Sequence, residues 1–212
     1  GGAGLFEEIM NRLFPVLVSL LLLVACKDAG SGTPAETGSP AGTGAPDTGT
    51  GAITLDGATV TLDGAAYTFA KASDGYRVSG AESLEIEVEA DRVKLKDASG
   101  QELAKVKKKD EGFKLYPKGS EEASLRAKRK GDGYKLLHKP DDAELGRVGS
   151  DGGEVGGDKL AIDGASVKRA GKEVASLTGT KPPWAAVGLL GGTEATPAER
   201  LAMFVFAVEV KP

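Results

Sequence analysis

Residues able to do catalytic or metal chemistry, among them 31 Asp and Glu, form no recognisable set in this chain of 212 residues. His138 is the only histidine and Cys26 the only cysteine, so no cluster of imidazoles and thiols is available to bind zinc or to form a nucleophilic dyad. No serine lies in the G-x-S-x-G context of a nucleophile elbow. Glu85, Glu87 and Glu89 alternate along one short segment, which is the spacing of a solvated strand face. We therefore predict no catalytic residue, no metal site and no cofactor, as expected of a non-enzymatic protein.

Positive charge is the chemistry that the sequence does concentrate. The chain has a net charge of −4, yet 15 of its 27 Lys and Arg residues lie between Asp91 and Lys139, against 8 acidic residues. Eight of these cations fall on two nearby predicted strands and their turns, namely Lys105, Lys107, Lys108, Lys109, Arg126, Lys128, Arg129 and Lys130. Each Lys or Arg close to an anionic bilayer adds on the order of 1 kcal/mol of binding free energy. The sequence therefore predicts a patch for an anionic lipid or envelope polymer, and the alternative is an ordinary solvated surface with Asp110, Glu121 and Glu122 interspersed.

Alternating apolar and polar residues predict short β-strands through most of the chain after residue 58. Leu84, Ile86 and Val88 alternate with glutamates, and a period of two is typical of a half-buried strand. The segments with this pattern are 59–62, 67–70, 76–79, 84–88, 93–95, 102–107, 113–116, 124–128, 134–138, 159–162 and 173–177. Asp-Gly pairs between several of them suit tight hairpin turns. A meander of about 10 to 12 strands has to remove its edges, so the predicted fold is mainly β, a closed antiparallel barrel, with a β-sandwich as the alternative.

The C-terminal segment departs from this pattern. Thr196, Pro197 and Glu199 form a capping box with proline at the first helical position, which predicts the start of a helix. The residues that follow are apolar on every side of a helical wheel, and such a helix has to be surrounded. We therefore predict a hydrophobic helix in the centre of the barrel, formed by Leu201, Met203, Phe204, Val205, Phe206 and Val208. The alternative is a final strand, because Phe204, Phe206, Val208 and Val210 also alternate.

Two other segments invite a functional interpretation. Gly149 to Gly157 reads GSDGGEVGG and lacks the Lys-Ser/Thr ending of a phosphate-binding loop, so we predict a mobile loop. Trp184, in TKPPWAAVGLL, is predicted to pack at the mouth of the barrel or else to form an exposed binding spot.

The strands and the terminal helix together resemble a known family. The run VKLKDASGQELAKVKKKDEGFKLYPKGSEEASLRAKRKGDGYKLLHKPDDAELGRV, followed by the apolar C-terminal segment, resembles the Tubby C-terminal-like superfamily over about Leu84 to Val210, especially its phospholipid scramblase and LURP-one-related branches. The resemblance implies a twelve-stranded barrel around a central helix, used as a binding scaffold that sometimes takes membrane phosphoinositides on a basic surface. It also implies the alternative function, a scramblase-like lipid mover or an enzyme acting at the membrane, although the chain lacks the acidic calcium-binding loop of the scramblases.

The N-terminal residues are typical of an exported lipoprotein. We interpret residues 1–9 as non-native translation upstream of a start at Met10. Residues 10–25 read as a signal peptide, with a polar and basic start, an apolar core and a small residue, Ala25, at the cleavage position. The apolar run is shorter than the roughly 20 residues that span a bilayer. The sequence LVAC, ending at Cys26, resembles the lipobox of bacterial lipoproteins, which implies cleavage between Ala25 and Cys26 and acylation of the Cys26 thiol.

The domain organisation and the location follow from this start. Residues 26–51 are rich in Gly, Thr, Pro, Ala and Ser and cannot form a core, so we predict a disordered linker, and residues 52–212 are predicted to form the barrel domain. Two or more acyl chains anchor a protein stably. We therefore expect the bacterial cell envelope: the outer membrane in a Gram-negative cell, because Lys27 follows the cysteine, and the outer leaflet of the plasma membrane otherwise.

The expected partners are the membrane, through acylated Cys26, and an anionic lipid or an envelope protein. We expect no nucleic-acid partner, because aromatic residues are not interleaved with the cations. We expect the protein to be a monomer.

Overall fold

The computed structural model describes residues 54–192 and 195–210. The predictions for residues 1–9, for the signal peptide at 10–25, and for Cys26 and the linker to residue 51 lie outside this part of the chain. The predicted patch and nearly all of the predicted barrel domain lie within it.

The described residues form a closed barrel of fourteen antiparallel strands. The strands are β1 Thr59–Leu62, β2 Ala65–Ala72, β3 Gly75–Gly80, β4 Leu84–Val88, β5 Arg92–Asp97, β6 Glu102–Lys109, β7 Gly112–Pro117, β8 Leu125–Lys130, β9 Gly133–His138, β10 Glu144–Val148, β11 Gly152–Val155, β12 Asp158–Asp163, β13 Ser166–Arg169 and β14 Lys172–Thr178. Each strand pairs with its neighbours in sequence, and β1 pairs with β14 to close the sheet. The predicted closed barrel is therefore confirmed, and the sandwich alternative is wrong because β1 and β14 are not free edges.

Side chains alternate between the two faces of the barrel wall. In β6, Ala104 and Val106 are fully buried and point inward, whereas Lys105 and Lys107 are partly exposed and point outward. Strands that begin with Gly-Tyr or Gly-Phe, after an Asp or Glu in the turn, carry an aromatic residue directly after the glycine, and its ring points inward. Phe113 and Tyr134 are two such residues, and their ring centroids are 5.5 Å apart. The period-two pattern of the sequence thus becomes an apolar inner face and a polar outer face.

The strand number exceeds the predicted 10 to 12 because β10, β11 and β13 were not recognised. Their sequences, ELGRV, GGEV and SVKR, are four or five residues long and contain too few inward apolar residues to show alternation. The predicted mobile loop at Gly149 to Gly157 is wrong where β11 runs through it. In β10, Gly146 has a φ of 147° at an irregularity in the pairing with β9, a conformation that favours glycine.

The predicted C-terminal helix is present as α2, Pro197–Glu209, and the strand alternative is wrong. Its capping box is formed: the Glu199 backbone N–H donates to Thr196 Oγ1 over 3.3 Å, and the Thr196 backbone N–H donates to Glu199 Oε2 over 2.8 Å. The helix packs against β4, β5, β6 and β7. The predicted central residues are all buried in the same apolar core as the strands, namely Leu201, Met203, Phe204, Val205, Phe206 and Val208.

A second helix, α1, was not predicted. It spans Trp184–Leu189 and packs against α2, β9, β10 and β12. About eight strands leave room for side chains alone inside a barrel, so a wall of fourteen strands encloses more space than one helix fills. Glycines let the segment approach the wall closely, since a Cβ added at Gly191 would lie 2.6 Å from Val167 Cγ1 and one added at Gly192 would lie 2.7 Å from Val148 Cγ2.

Two polar contacts tie α2 to the wall. At its first turn, the Arg200 guanidinium pairs with Asp63 of the β1–β2 turn and donates to the Leu190 carbonyl over 2.9 Å. At its other end, the Tyr76 hydroxyl donates to Glu209. Burial first, and then this hydrogen bond, raise the pKa of Tyr76 to about 12. Both ends of α2 are therefore fixed relative to the strands that carry the outer surface.

Candidate anionic-ligand site

Cations stand side by side on the outer surface of β6, β7 and β8. In the strand pairing Lys107 lies opposite Lys114, and Lys114 lies opposite Arg126. Arg92 of β5 extends this row because it lies opposite Lys107. Neighbouring strands are about 4.8 Å apart, so the row places one positive charge on each of four successive strands.

Further cations flank this row on the same strands. Lys105 lies two residues from Lys107 on β6, and Lys128 lies two residues from Arg126 on β8. The ring of Tyr116, in register with Lys105, lies 5.8 Å from Lys105 Nζ and 5.4 Å from Lys107 Nζ, measured to its centroid. This arrangement allows weak cation–π attraction that restrains both ammonium groups. We call the partly exposed cations on the outer surface of these three strands the basic face, namely Lys105, Lys107, Lys114, Arg126 and Lys128.

The adjacent strands β4 and β5 balance their charges across the register. Glu87 lies opposite Lys94, and Lys94 Nζ lies 2.6 Å from Glu89 Oε1 and 3.8 Å from Glu87 Oε2. The hydrogen bond from Lys94 is the main cause of a lowered pKa for Glu89, and the hydrogen bond to Glu87 raises the pKa of Lys96. The alternating glutamates therefore form cross-strand ion pairs, as expected of a solvated strand face.

The centre of the basic face has no such balance. Among the described residues, no carboxylate lies within 4.0 Å of Lys107, Lys114, Arg126 or Lys128. Only Lys105, at the margin of the face, has an ion pair, with Glu102 at 3.2 Å. Like charges directly opposite each other destabilise a sheet, and outward side chains of this kind contribute nothing to the core. The pairs on β4 and β5 show that this barrel wall can hold cross-strand ion pairs. On β6, β7 and β8 it holds a row of like charges instead.

The predicted patch divides between the basic face and the rim. Lys105, Lys107, Arg126 and Lys128 lie on the face, whereas Lys108, Lys109, Arg129 and Lys130 are exposed at the strand ends. There they adjoin acidic turns, as the hydrogen bond from the Arg129 backbone N–H to the Glu111 carbonyl shows, at 2.6 Å. Lys114 was missed because it lies on the intervening strand, and only the register places it between Lys107 and Arg126.

One carboxylate feels the charge of the basic face but already has an ion-pair partner outside it. Asp142 pairs with Lys139, and the hydrogen bond from Lys139 is the main cause of a lowered pKa for Asp142, with smaller contributions from Arg126 and Lys128. Beyond the face, Lys135 Nζ pairs with Glu144 at 2.6 Å. The row of unpaired cations therefore does not continue onto β9.

The other candidate residues lie apart from this face. His138 is exposed at the end of β9, where its Nδ1 lies 3.0 Å from Asp141 Oδ1. Trp184, at the start of α1, is 38% exposed, which agrees with the alternative prediction of an exposed side chain. A groove of about 280 Å³ lies over the β2–β3 turn and β4, with Tyr76 and Glu87 in its lining. Within the described ranges, no three His, Cys, Asp or Glu residues are grouped closely enough to hold a metal ion.

None of the helices in the described part of the chain has the length and apolar character needed to cross a membrane. Comparison with known proteins gives no relative: no protein family, no curated protein and no solved structure matches the chain significantly.

Proposed function

We propose that this protein is a lipid-anchored, non-enzymatic binding module of a bacterial envelope, and that the basic face takes an anionic ligand. The observation that carries the proposal is the row of Lys107, Lys114 and Arg126, three cations in register on adjacent strands with no carboxylate of the described residues in ion-pair distance. A bound anion would remove the repulsion that the row creates.

The packed interior supports binding on the outside of the barrel. The inward side chains of the strands and those of α1 and α2 belong to one apolar core. A lipid mover or an enzyme, the alternative that comes from the family resemblance, needs a polar path or pocket where a substrate is enclosed. The filled barrel therefore favours the binding module over that alternative.

The proposed anchor would give the basic face access to its ligand. If the 25 residues from Lys27 to Gly51 form the disordered linker that their composition predicts, its root-mean-square reach would be about 25–30 Å. Acylated Cys26 would then hold the barrel close to its own membrane without fixing its orientation. Both the headgroups of that membrane and polymers near it would lie within reach.

The experiment compares the full chain with two variants of equal net charge. The test variant is Lys107→Gln, Lys114→Gln, Arg126→Gln and Lys128→Gln. The control variant carries four changes on β12 to β14 and the segment that follows, namely Lys159→Gln, Lys168→Gln, Lys172→Gln and Lys181→Gln. Co-sedimentation measures binding to vesicles of phosphatidylcholine with and without phosphatidylglycerol, and a fluorescence titration in non-ionic detergent measures binding of long-chain polyphosphate. The N-terminal segment is common to all three proteins, so differences between them report the barrel.

We expect wild type and the control variant to show a preference for phosphatidylglycerol, for polyphosphate or for both, and the test variant to lose it. At about 1 kcal/mol per cation near an anionic surface, four substitutions predict a loss of at least a hundredfold for a ligand that contacts all four cations. Equal weakening in both variants would assign binding to net charge alone and overturn the proposal, as would the absence of binding to either probe.

A further inference from the structure

The basic face is convex, and this limits the shape of an anion that can use it. In a closed barrel of fourteen strands, the outward direction turns by about 26° from one strand to the next, which is a full circle divided among the strands. Lys107 and Arg126 lie two strands apart, so their side chains leave the wall at directions about 50° apart. They diverge from Lys114 and do not converge on a common point.

A single compact anion fits such a row poorly. A lone phosphate or headgroup placed over Lys114 meets one or two cations, because the next side chains point away from it. A flat bilayer has the same difficulty, since a plane that touches the wall at β7 recedes from β6 and β8 on either side. Three contacts at once require an anion that bends around the wall.

The row has defined ends. On one side, Arg92 is held by Glu89 Oε2 at 2.9 Å and by Asp91 Oδ1 at 3.1 Å. On the other side, Arg126 lies opposite Leu137, which is buried. The unbalanced charge therefore occupies β6, β7 and β8 and spans about 10 Å, twice the strand spacing.

We infer that the ligand of the basic face is a linear polyanion, a flexible chain of phosphate or carboxylate groups, that lies across β6, β7 and β8 and contacts Lys107, Lys114 and Arg126 in succession. This inference rests on the proposed function and names its ligand class. The inter-strand spacing sets the separation of the contacts, and the curvature of the wall selects a flexible chain over an isolated headgroup. Tyr116, beside Lys105 and Lys107, restrains the ammonium groups of these two lysines at one margin of the basic face.

The test is a chain-length series on the full-length protein in non-ionic detergent. The probes are pyrophosphate, tripolyphosphate and long-chain polyphosphate, with short and long oligogalacturonates as the carboxylate series. With about fivefold in affinity for each cation contacted, the step from one contact to three predicts an increase of about 25-fold, followed by a plateau for longer chains. The salt dependence of the long-chain complex should have a log–log slope near −2, at about 0.7 for each contact with a flexible chain.

Two single substitutions on β7 and at its end make the test specific. Lys114→Gln removes the middle contact and should lower long-chain affinity by about fivefold, while pyrophosphate affinity changes less. The matched control is Lys118→Gln, because Lys118 lies beyond the row, where it donates to Gln101 Oε1 over 2.7 Å, and this change should leave both affinities within twofold. Whichever probe series shows the length dependence identifies the anionic group of the natural polymer.

Failure of this inference is distinguishable from failure of the proposed function. One outcome is that phosphatidylglycerol strengthens vesicle binding, that the test variant with four substitutions loses this effect, and that polyanion affinity does not depend on chain length. This outcome would support the binding module and overturn the linear ligand. Equal effects of Lys114→Gln and Lys118→Gln would also overturn it. No binding of vesicles, polyphosphate or oligogalacturonates would remove both proposals.

Discussion

Replacing Gly188 by alanine tests whether α1 is packed against the barrel wall. A Cβ added at Gly188 would overlap Val148 Cγ1 far inside van der Waals contact and would lie 3.4 Å from Ile162 Cδ1. Val148 is buried at the end of β10, and its branched side chain has little freedom to turn away. Alanine gains up to about 1 kcal/mol of helix propensity over glycine, whereas overpacking costs about 1–3 kcal/mol. We expect Gly188→Ala to lower the free energy of unfolding by about 1 kcal/mol.

A double-mutant cycle with Val148→Ala separates this clash from other effects. Val148→Ala alone removes two buried methyl groups and should cost about 2 kcal/mol, including the cavity that it leaves. In the double variant, the new Cβ at position 188 fills part of that space, so the two changes should cost about 1–2 kcal/mol less than their sum. The matched control is Val155→Ala, because Val155 is buried to a similar extent but contributes none of the three atoms nearest to a Cβ added at Gly188.

Urea denaturation followed by circular dichroism measures all the variants of both cycles, and equal m-values establish that the free energies are comparable. The Gly188 and Val155 changes should add within about 0.5 kcal/mol. If the Gly188 and Val148 changes also add, or if Gly188→Ala alone stabilises the protein by its full helix propensity, α1 does not lie against β10 as described.

Three further predictions concern the attachment of α2. Because the pKa of Tyr76 is raised to about 12 from 10.0, the unfolded chain releases this proton first, and stability should fall between about pH 10 and 12. Tyr76→Phe should reduce that fall in urea denaturation at each pH, and an unchanged profile would contradict the raised pKa that burial and the hydrogen bond with Glu209 produce. Asp63→Asn keeps a turn-forming residue but leaves the guanidinium of Arg200 without its carboxylate, and should cost about 1.5–3 kcal/mol; a thermal midpoint equal to that of wild type would show that the pair contributes nothing. Thr196→Ala removes the cap of α2 and should cost about 1 kcal/mol, which Thr196→Ser should largely restore in the same denaturation assay.

Features encoded by neighbouring residues could be predicted from the sequence. The alternation in β4 and β6 indicated strands, and the capping box at Thr196 indicated the start of α2 with the correct first residue. Both signals depend on spacings of two to four residues, which local backbone geometry dictates. The apolar residues around all sides of α2 also indicated that something encloses it, and the closed sheet does.

Features that depend on distant pairing could not be predicted in the same way. The strands β10, β11 and β13 are held by their neighbours in the sheet, and their own sequences carry little alternation. The basic face shows the same limit, since the proximity of Lys107, Lys114 and Arg126 is a property of the register of three strands. Position along the chain grouped Lys107 with Lys108 and Lys109, whereas the fold separates the strand face from the rim.

The repulsive row leads to a last prediction, in which stability and binding change in opposite directions. Each strand of the wall is hydrogen-bonded on both sides, and β6 and β7 also contact α2, so these strands cannot separate to relieve the repulsion. Lys114→Gln should therefore raise the free energy of unfolding by a few tenths to 1 kcal/mol at low salt, with a smaller gain as salt screens exposed charges, while it weakens polyanion binding. Lys94→Gln, which breaks ion pairs with Glu87 and Glu89, should lower stability instead. A loss of stability in Lys114→Gln would mean that this lysine stabilises the wall, and the unbalanced row would no longer indicate a ligand.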